Sequence, residues 1–327
     1  MTFMPMVEAI RHALALEMER DERVMVFGQD VGKLGGVFRA TDGLQDRFGT
    51  ERVRDTPLAE GGIAGTALGL ALSGLVPVAE IQFLGFAHQG FHQIVDQIAR
   101  YRYRSRGQRP LQLTIRAPFG GGVRTPEMHS DALEAHYVHA PGLKVVMPAT
   151  PHDAKGLLLE AIRDPDPVLF CEPLRGYRLV EGEVPEHDYT VPFGQARIAR
   201  EGEHVTLIAW SAAVQLCERA ADVVAVDGVS CEIVDLRTLV PLDVETIVRS
   251  VESTGRAVVV QESALTGGFA GEVAATLQEE AFYSLEAPVA RVGSPDTPYP
   301  PFASIEDAYV PNEDRVVAAI RATVGWE

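Results

Sequence analysis

The chain has 327 residues, 46% of them hydrophobic, so it can build two domains with separate cores, and nothing in its composition points to disorder. A net charge of −17 argues against DNA, RNA or an anionic membrane surface as the main partner. Cys171, Cys217 and Cys231 are far apart with no CxxC spacing and lie in apolar surroundings, which reads as reduced core thiols in a cytoplasmic protein; no leader pattern opens the chain, and no secretory signal is expected.

Met6, Val7, Ile10, Leu14 and Met18 recur at helical spacing, and RVMVF (Arg23 to Phe27) reads as the first buried strand. The glycine-rich stretch after it spaces Gly28, Gly32, Gly35 and Gly36 in a way that does not fit GxGxxG, so a nicotinamide-type site is a weak reading. Next comes DTPLAEGGIAGTALGLALSG (Asp55 to Gly74), with one acid, Glu60, at the mouth of an almost uncharged run. A carboxyl walled by Ala, Ile, Leu and Gly loses hydration and is a candidate for proton chemistry; the alternative is a negative charge that suits the first turn of a helix. The run 61–79 nears the length of a membrane span, but its glycines and Pro77 indicate a buried helix followed by a strand. Gly65 and Gly69, four apart, would let another backbone approach closely, from this chain or from a second subunit.

LVPVAEIQF (Leu75 to Phe83) is strand-like and leads to a helix beginning around Phe86, His88, Phe91 and His92. His88 and His92 lack the glutamate of HExxH and read as packed or solvated histidines rather than zinc ligands. RYRYRSRGQR (Arg100 to Arg109) reads as a charged helix end or a subunit contact rather than a nucleic-acid site. The strand Leu111 to Arg116 opens into a long loop with Gly120, Gly121, Gly122 and the histidines His129, His136 and His139; loops of that length are usually functional. A strand Leu143 to Met147, a helix Asp153 to Arg163 and a strand Val168 to Cys171 complete a β-α-β rhythm. Pro173 to Pro192 reads as the connection between domains. The same alternation resumes at His204 and ends in a helix over 314–324, with SPDTPYPPF (Ser294 to Phe302) as a rigid surface loop. The expected fold is α/β: two domains, each a mainly parallel sheet flanked by helices, over residues 1–178 and 195–327 with a linker at 179–194.

DTPLAEGGIAG, AEIQFLGF, YRYRSRG, LTIRAPFGGGVR, HAPGLKVVMPATPHDAKGLL, VTLIAWS, EIVDLRTLVPLD and TGGFAGE, in that order over nearly the whole chain, resemble the beta subunits of thiamine-diphosphate-dependent 2-oxo acid dehydrogenases. AEIQF and YRYRSRG are most similar to the branched-chain branch. The resemblance implies a pyrimidine-binding domain followed by a C-terminal domain, both of the transketolase type. It also implies an alpha2beta2 heterotetramer in which the alpha subunit holds the diphosphate end of the cofactor and its Mg2+, since the GDG and NN metal motif is missing here.

By the same resemblance, Glu60 hydrogen-bonds the aminopyrimidine ring and favours the imino tautomer that deprotonates the thiazolium. Phe86 stacks on the pyrimidine, Leu58 and Gln82 line its pocket, and His129 assists acyl transfer to the lipoyl arm of the dihydrolipoyl acyltransferase core. A structural potassium ion is implied at Leu111, Leu113, Thr114, Ala161, Asp164 and Asp166, through main-chain oxygens. Asp166 replaces an Asn found in some relatives, Gln29 stands where an acid is common, and SDALEA (Ser130 to Ala135) replaces the usual SQSPEA. The expected function is oxidative decarboxylation of branched-chain 2-oxo acids with acyl transfer to lipoamide. The alternatives are pyruvate or a broad range of 2-oxo acids, or a noncatalytic docking module for the acyltransferase core working through the acidic C-terminal domain.

Overall fold

A computed structural model describes residues 1–125 and 127–326. The strands are β1 (Thr2–Pro5), β2 (Val24–Gly28), β3 (Val53–Asp55), β4 (Val76–Glu80), β5 (Thr114–Phe119), β6 (Lys144–Val146), β7 (Val168–Pro173), β8 (Glu181–Val184), β9 (Arg197–Arg200), β10 (Val205–Ala209), β11 (Cys231–Asp235), β12 (Thr238–Val240), β13 (Ala257–Ala264) and β14 (Ala290–Ser294). Seven of them form a sheet in the order β12-β6-β7-β5-β4-β2-β3, and five form a second in the order β14-β13-β10-β11-β9. The neighbours are parallel except for β12 against β6 and β9 against β11.

The central strands are buried along their whole length, for example VMVFG in β2 and TIRAPF in β5, as sheets covered on both faces require. The helix Met6–Arg20 turns Met6, Ile10, Ala13, Leu14 and Met18 inward and packs on the helix Pro151–Arg163. The second of these starts cleanly, with Thr150 accepting the Asp153 amide at 3.1 Å and Pro at the first position. Between the pair, Glu17 is fully buried and held by Arg20 and Arg163.

Two short pairings differ from the sequence reading. The stretch 179–194, expected as linker, contains β8, which pairs antiparallel with β1 at the very start of the chain. The segment before Pro241, for which the sequence reading gave no element, contains β12, which leaves the second domain and becomes the edge strand of the first sheet. The apolar core likewise runs through the seam, from Phe27, Ile115 and Leu169 to Trp210, Val234 and Val259. The three cysteines are buried and unpaired, and burial raises each thiol, Cys231 to about 11. Among the described residues no helix is long and apolar enough to cross a membrane.

At the centre of the first sheet Arg116 on β5 is fully buried between two carboxylates. It donates to Glu80 of β4 at 2.7 Å, and to Glu172 of β7 at 2.6 and 2.9 Å, with the Tyr177 hydroxyl also donating to Glu172. Burial pushes the Glu80 carboxyl up, against the pull of Arg116.

Candidate active site

The carboxyl ends of β2, β3, β4 and β5 lie side by side at one edge of the sheet, where an open parallel sheet usually has its ligand crevice. The chain leaving β3 carries Leu58, 65% exposed, and then Glu60, the first residue of the helix Glu60–Leu72. Beyond β4 come Gln82 and the 3-10 turn Leu84–Gly90 with Phe86. Beyond β5 come the three glycines and the turn Glu127–His129. All four expected cofactor residues and His129 therefore start from the same rim.

Glu60 is 4% exposed, and its Oε2 has no hydrogen-bond partner among the described residues. A buried carboxylate oxygen left unmade is costly, and a ligand donor would satisfy it. The helix start is wedged against the turn that carries Phe86: a β-carbon at Gly90 would lie 3.1 Å from the Glu60 carbonyl oxygen, and one at Gly61 would lie 3.1 Å from that of Gln89. Close approach inside this chain is thus made at Gly61 and Gly90. Gly65 and Gly69 face outward, with no backbone of this chain beside them.

The turn Leu84–Gly90 also receives the histidine loop. A β-carbon at Gly85 would overlap the Met128 carbonyl oxygen, so the two turns meet backbone to backbone. The His129 ring stands edge-on to Phe83 and Phe86, with centroids 4.6 and 5.0 Å away. Its Nδ1 is buried and has no hydrogen-bond partner among the described residues. Gln82 donates to Asp30 Oδ2 at 3.1 Å, which ties the pocket floor to the glycine-rich loop. That loop is closed on itself. Gly32 N–H donates to Asp55, Gly35 N–H to the Gly32 carbonyl and Gly36 N–H to the Asp30 carbonyl, so these amides are not presented to a dinucleotide phosphate.

The other histidines go elsewhere. The expected helix from Phe86 is a 3-10 turn followed by a π-helical turn, His92–Ile98, which breaks the His88 and His92 register. His88 instead pairs with His136 at 2.9 Å in a stacked arrangement, and His92 pairs with Asp96 at 3.1 Å. Burial lowers the His88 imidazole, and the neighbouring His136 adds to the effect. In the basic cluster Arg102 reaches Asp166 at 3.0 Å and Arg100 reaches Asp96 at 3.0 Å, so two of its cations serve local ion pairs.

Leu111, Leu113, Thr114, Ala161, Asp164 and Asp166 gather where the helix Pro151–Arg163 ends beside the start of β5. The Asp164 carboxylate is taken by Lys144 at 2.5 Å and by the Asp166 amide at 2.8 Å, and Asp166 by Arg102. Ala161 lies in the last helical turn, where carbonyls lack intrahelical partners, and Thr114 Oγ1 is buried with no partner among the described residues.

Sequence reasoning missed a set of groups from the second domain. Glu262, Tyr299 and Glu306 close on the three glycines, Glu262 accepting the Gly121 amide at 2.5 Å. Glu262 is pushed up to about 7 by burial, reinforced by Glu134 and Glu306, and opposed by the Gly121 amide and Arg175. Tyr299 belongs to the expected surface loop yet is only 4% exposed. No local pattern marks these residues; the only signal was the glycine run, which shows crowding without showing its source.

Comparison with known proteins matches residues 3–179 to the transketolase pyrimidine-binding domain and residues 194–316 to the transketolase C-terminal domain. The chain is 52% identical over 324 residues to the pyruvate dehydrogenase E1 component subunit beta of Staphylococcus epidermidis, with 99% of each covered. It is 52% identical over 321 residues to that of Bacillus subtilis, with 98% of each covered. A split-gene transketolase, described as an inactive beta4 tetramer, superposes with a TM-score of 0.80 at 26% identity over 98% of both chains. A transketolase variant from Pichia stipitis shares the fold, with a TM-score of 0.70 at 13% identity, over 98% of this chain and 46% of that one.

Proposed function

We propose that this chain, which belongs to the transketolase-family beta subunits of 2-oxo acid dehydrogenases, binds the pyrimidine half of thiamine diphosphate and acts with an alpha subunit in decarboxylating a 2-oxo acid. The observation that carries this reading is the buried, unpartnered Oε2 of Glu60 at the rim of the crevice. Thiamine diphosphate, when bound, supplies a nucleophilic carbon and a sink for the electrons released with carbon dioxide. Glu60 would hydrogen-bond the aminopyrimidine ring nitrogen and hold a proton there. Phe86 offers a flat apolar face to the ring, while Leu58 and Gln82 bound its edges. The alpha subunit would hold the diphosphate and Mg2+, which makes this chain half of a site in an alpha2beta2 assembly. His129, beside Phe86, would give a proton to the lipoyl sulfur as the acyl group moves to the dihydrolipoyl acyltransferase.

Pyruvate is the substrate the relatives' names favour, ahead of the branched-chain acids suggested by AEIQF and YRYRSRG. Co-expression with the alpha chain and assay on a panel of 2-oxo acids tests both points. The pair should decarboxylate pyruvate with a kcat/KM about tenfold or more above that for a branched-chain acid, since even one extra methylene in an apolar pocket is discriminated by roughly 10–200-fold. The opposite order would restore the branched-chain reading, and activity of this chain alone would end the half-site reading.

We also infer a structural potassium ion at the end of the helix Pro151–Arg163. The unpartnered Thr114 hydroxyl and the helix-end carbonyl of Ala161 suit an oxygen-seeking cation, and the nearby carboxylates already have their own cationic partners. Exchanging sodium for potassium at constant ionic strength should raise Tm by about 2–4 °C, the size expected for roughly 1 kcal/mol of linked binding. Identical melting in the two salts would remove the ion.

A further inference from the structure

The run Gly120–Gly122 takes no part in the chemistry above, yet three separate segments of the second domain converge on it. Gly121 N–H donates to Glu262 Oε1 at 2.5 Å, and Gly122 N–H donates to Glu306 Oε1, which also accepts from the Tyr299 hydroxyl. Glu262 comes from β13, Tyr299 from the loop after β14, and Glu306 from the helix Ala303–Tyr309. The fit leaves no room for side chains: a β-carbon at Gly120 would lie 2.9 Å from Glu262 Oε1, one at Gly121 would overlap the Tyr299 hydroxyl, and one at Gly122 would overlap Arg175.

This backbone is the stem of the loop that carries His129. Farther along, Thr125 Oγ1 and Ser130 Oγ lie 2.6 Å apart and close the base of the turn Glu127–His129. Ser130 and Asp131 then line a cavity of about 180 Å³ with Glu262, Tyr299 and Tyr309. The stem is thus fixed from the second domain and the tip by Gly85 and Phe86 of the first. Partly buried amides need acceptors, and a carboxylate makes the stronger kind of bond to them.

We propose that Glu262 and Glu306 are positioning residues for acyl transfer: from across the domain seam they hold the backbone that presents His129 to an incoming lipoyl group. The inference rests on the reading of His129 given above, so its test separates the two. In the assembled alpha-beta enzyme, Glu262→Ala should increase hydrogen exchange of the amides at 120–125 about tenfold, the effect of losing one amide-to-carboxylate bond. The ratio of lipoyl-domain acylation to decarboxylation with an artificial electron acceptor should fall about as much. Glu262→Gln keeps an oxygen for the Gly121 amide, and should return both readings to within about threefold of wild type. Unchanged exchange in Glu262→Ala, or a Gln variant as impaired as the Ala one, overturns the proposal. A His129→Ala enzyme with an unchanged acylation ratio overturns the role of His129, and with it the acyl-transfer purpose of the clamp, whatever the exchange data show.

Discussion

Glu60→Gln in the reconstituted alpha-beta enzyme is expected to lower decarboxylation by about two to four orders of magnitude, the range spanned by general acid–base groups, while the subunits still assemble. The substitution keeps the size and shape of the side chain in a site that is 4% exposed. The fold loses only a favourable charge in the first turn of the helix Glu60–Leu72, worth about 0.3–1 kcal/mol. What it removes is the acidic group whose Oε2 is buried without a partner among the described residues. An amide accepts a hydrogen bond there but does not take and return a proton. The measurement is the turnover rate with an artificial electron acceptor, alongside size-exclusion and melting profiles. Wild-type turnover in the Gln variant would take Glu60 out of the mechanism.

The largest effect on stability should come from Arg116→Met. That change leaves Glu80 and Glu172 buried without their cation, and deletes three hydrogen bonds from the middle of the first sheet. Breaking a buried pair by removing one partner costs about 3–5 kcal/mol. With urea slopes of about 1–3 kcal/mol/M, the midpoint should fall by roughly 1–5 M. Adding Glu80→Gln and Glu172→Gln to the same chain should recover part of that loss, because most of it is the desolvation of unpaired carboxylates rather than the attraction itself. An unmoved midpoint in the single variant would mean that water or local rearrangement hydrates the two acids. Glu80 ends β4 only two residues before Gln82.

Much of the architecture was written in local pattern. The spacing of Met6, Ile10, Leu14 and Met18 predicts the first helix, and uninterrupted apolar runs predict β2, β4 and β10. Glu60 stood out because it is a lone acid on an apolar helix. The missed elements are short or depend on distant partners. β12 has three residues and ends against Pro241, and β8 has a strand's shape only because β1 lies beside it. The histidine loop read as unstructured, but the helix Glu134–Val138 lies within it. The contact of Phe86 with His129 joins residues 43 positions apart, and depends on Gly85 lacking a side chain. Nothing near Glu262 in the sequence announces Gly121 as its partner, because that pairing exists only once two domains have met.

The crossing of β12 into the first sheet changes what counts as a unit of inheritance in this chain. A recombination breakpoint in the connection at 179–194 would separate β6 from its antiparallel neighbour, leaving one gene fragment with an open sheet edge and the other with an orphan strand. Exchange of the C-terminal domain between relatives therefore has to preserve the match between Thr238–Val240 and Lys144–Val146. The modular boundary suggested by the two α/β repeats is not the boundary along which the molecule can be cut and rejoined.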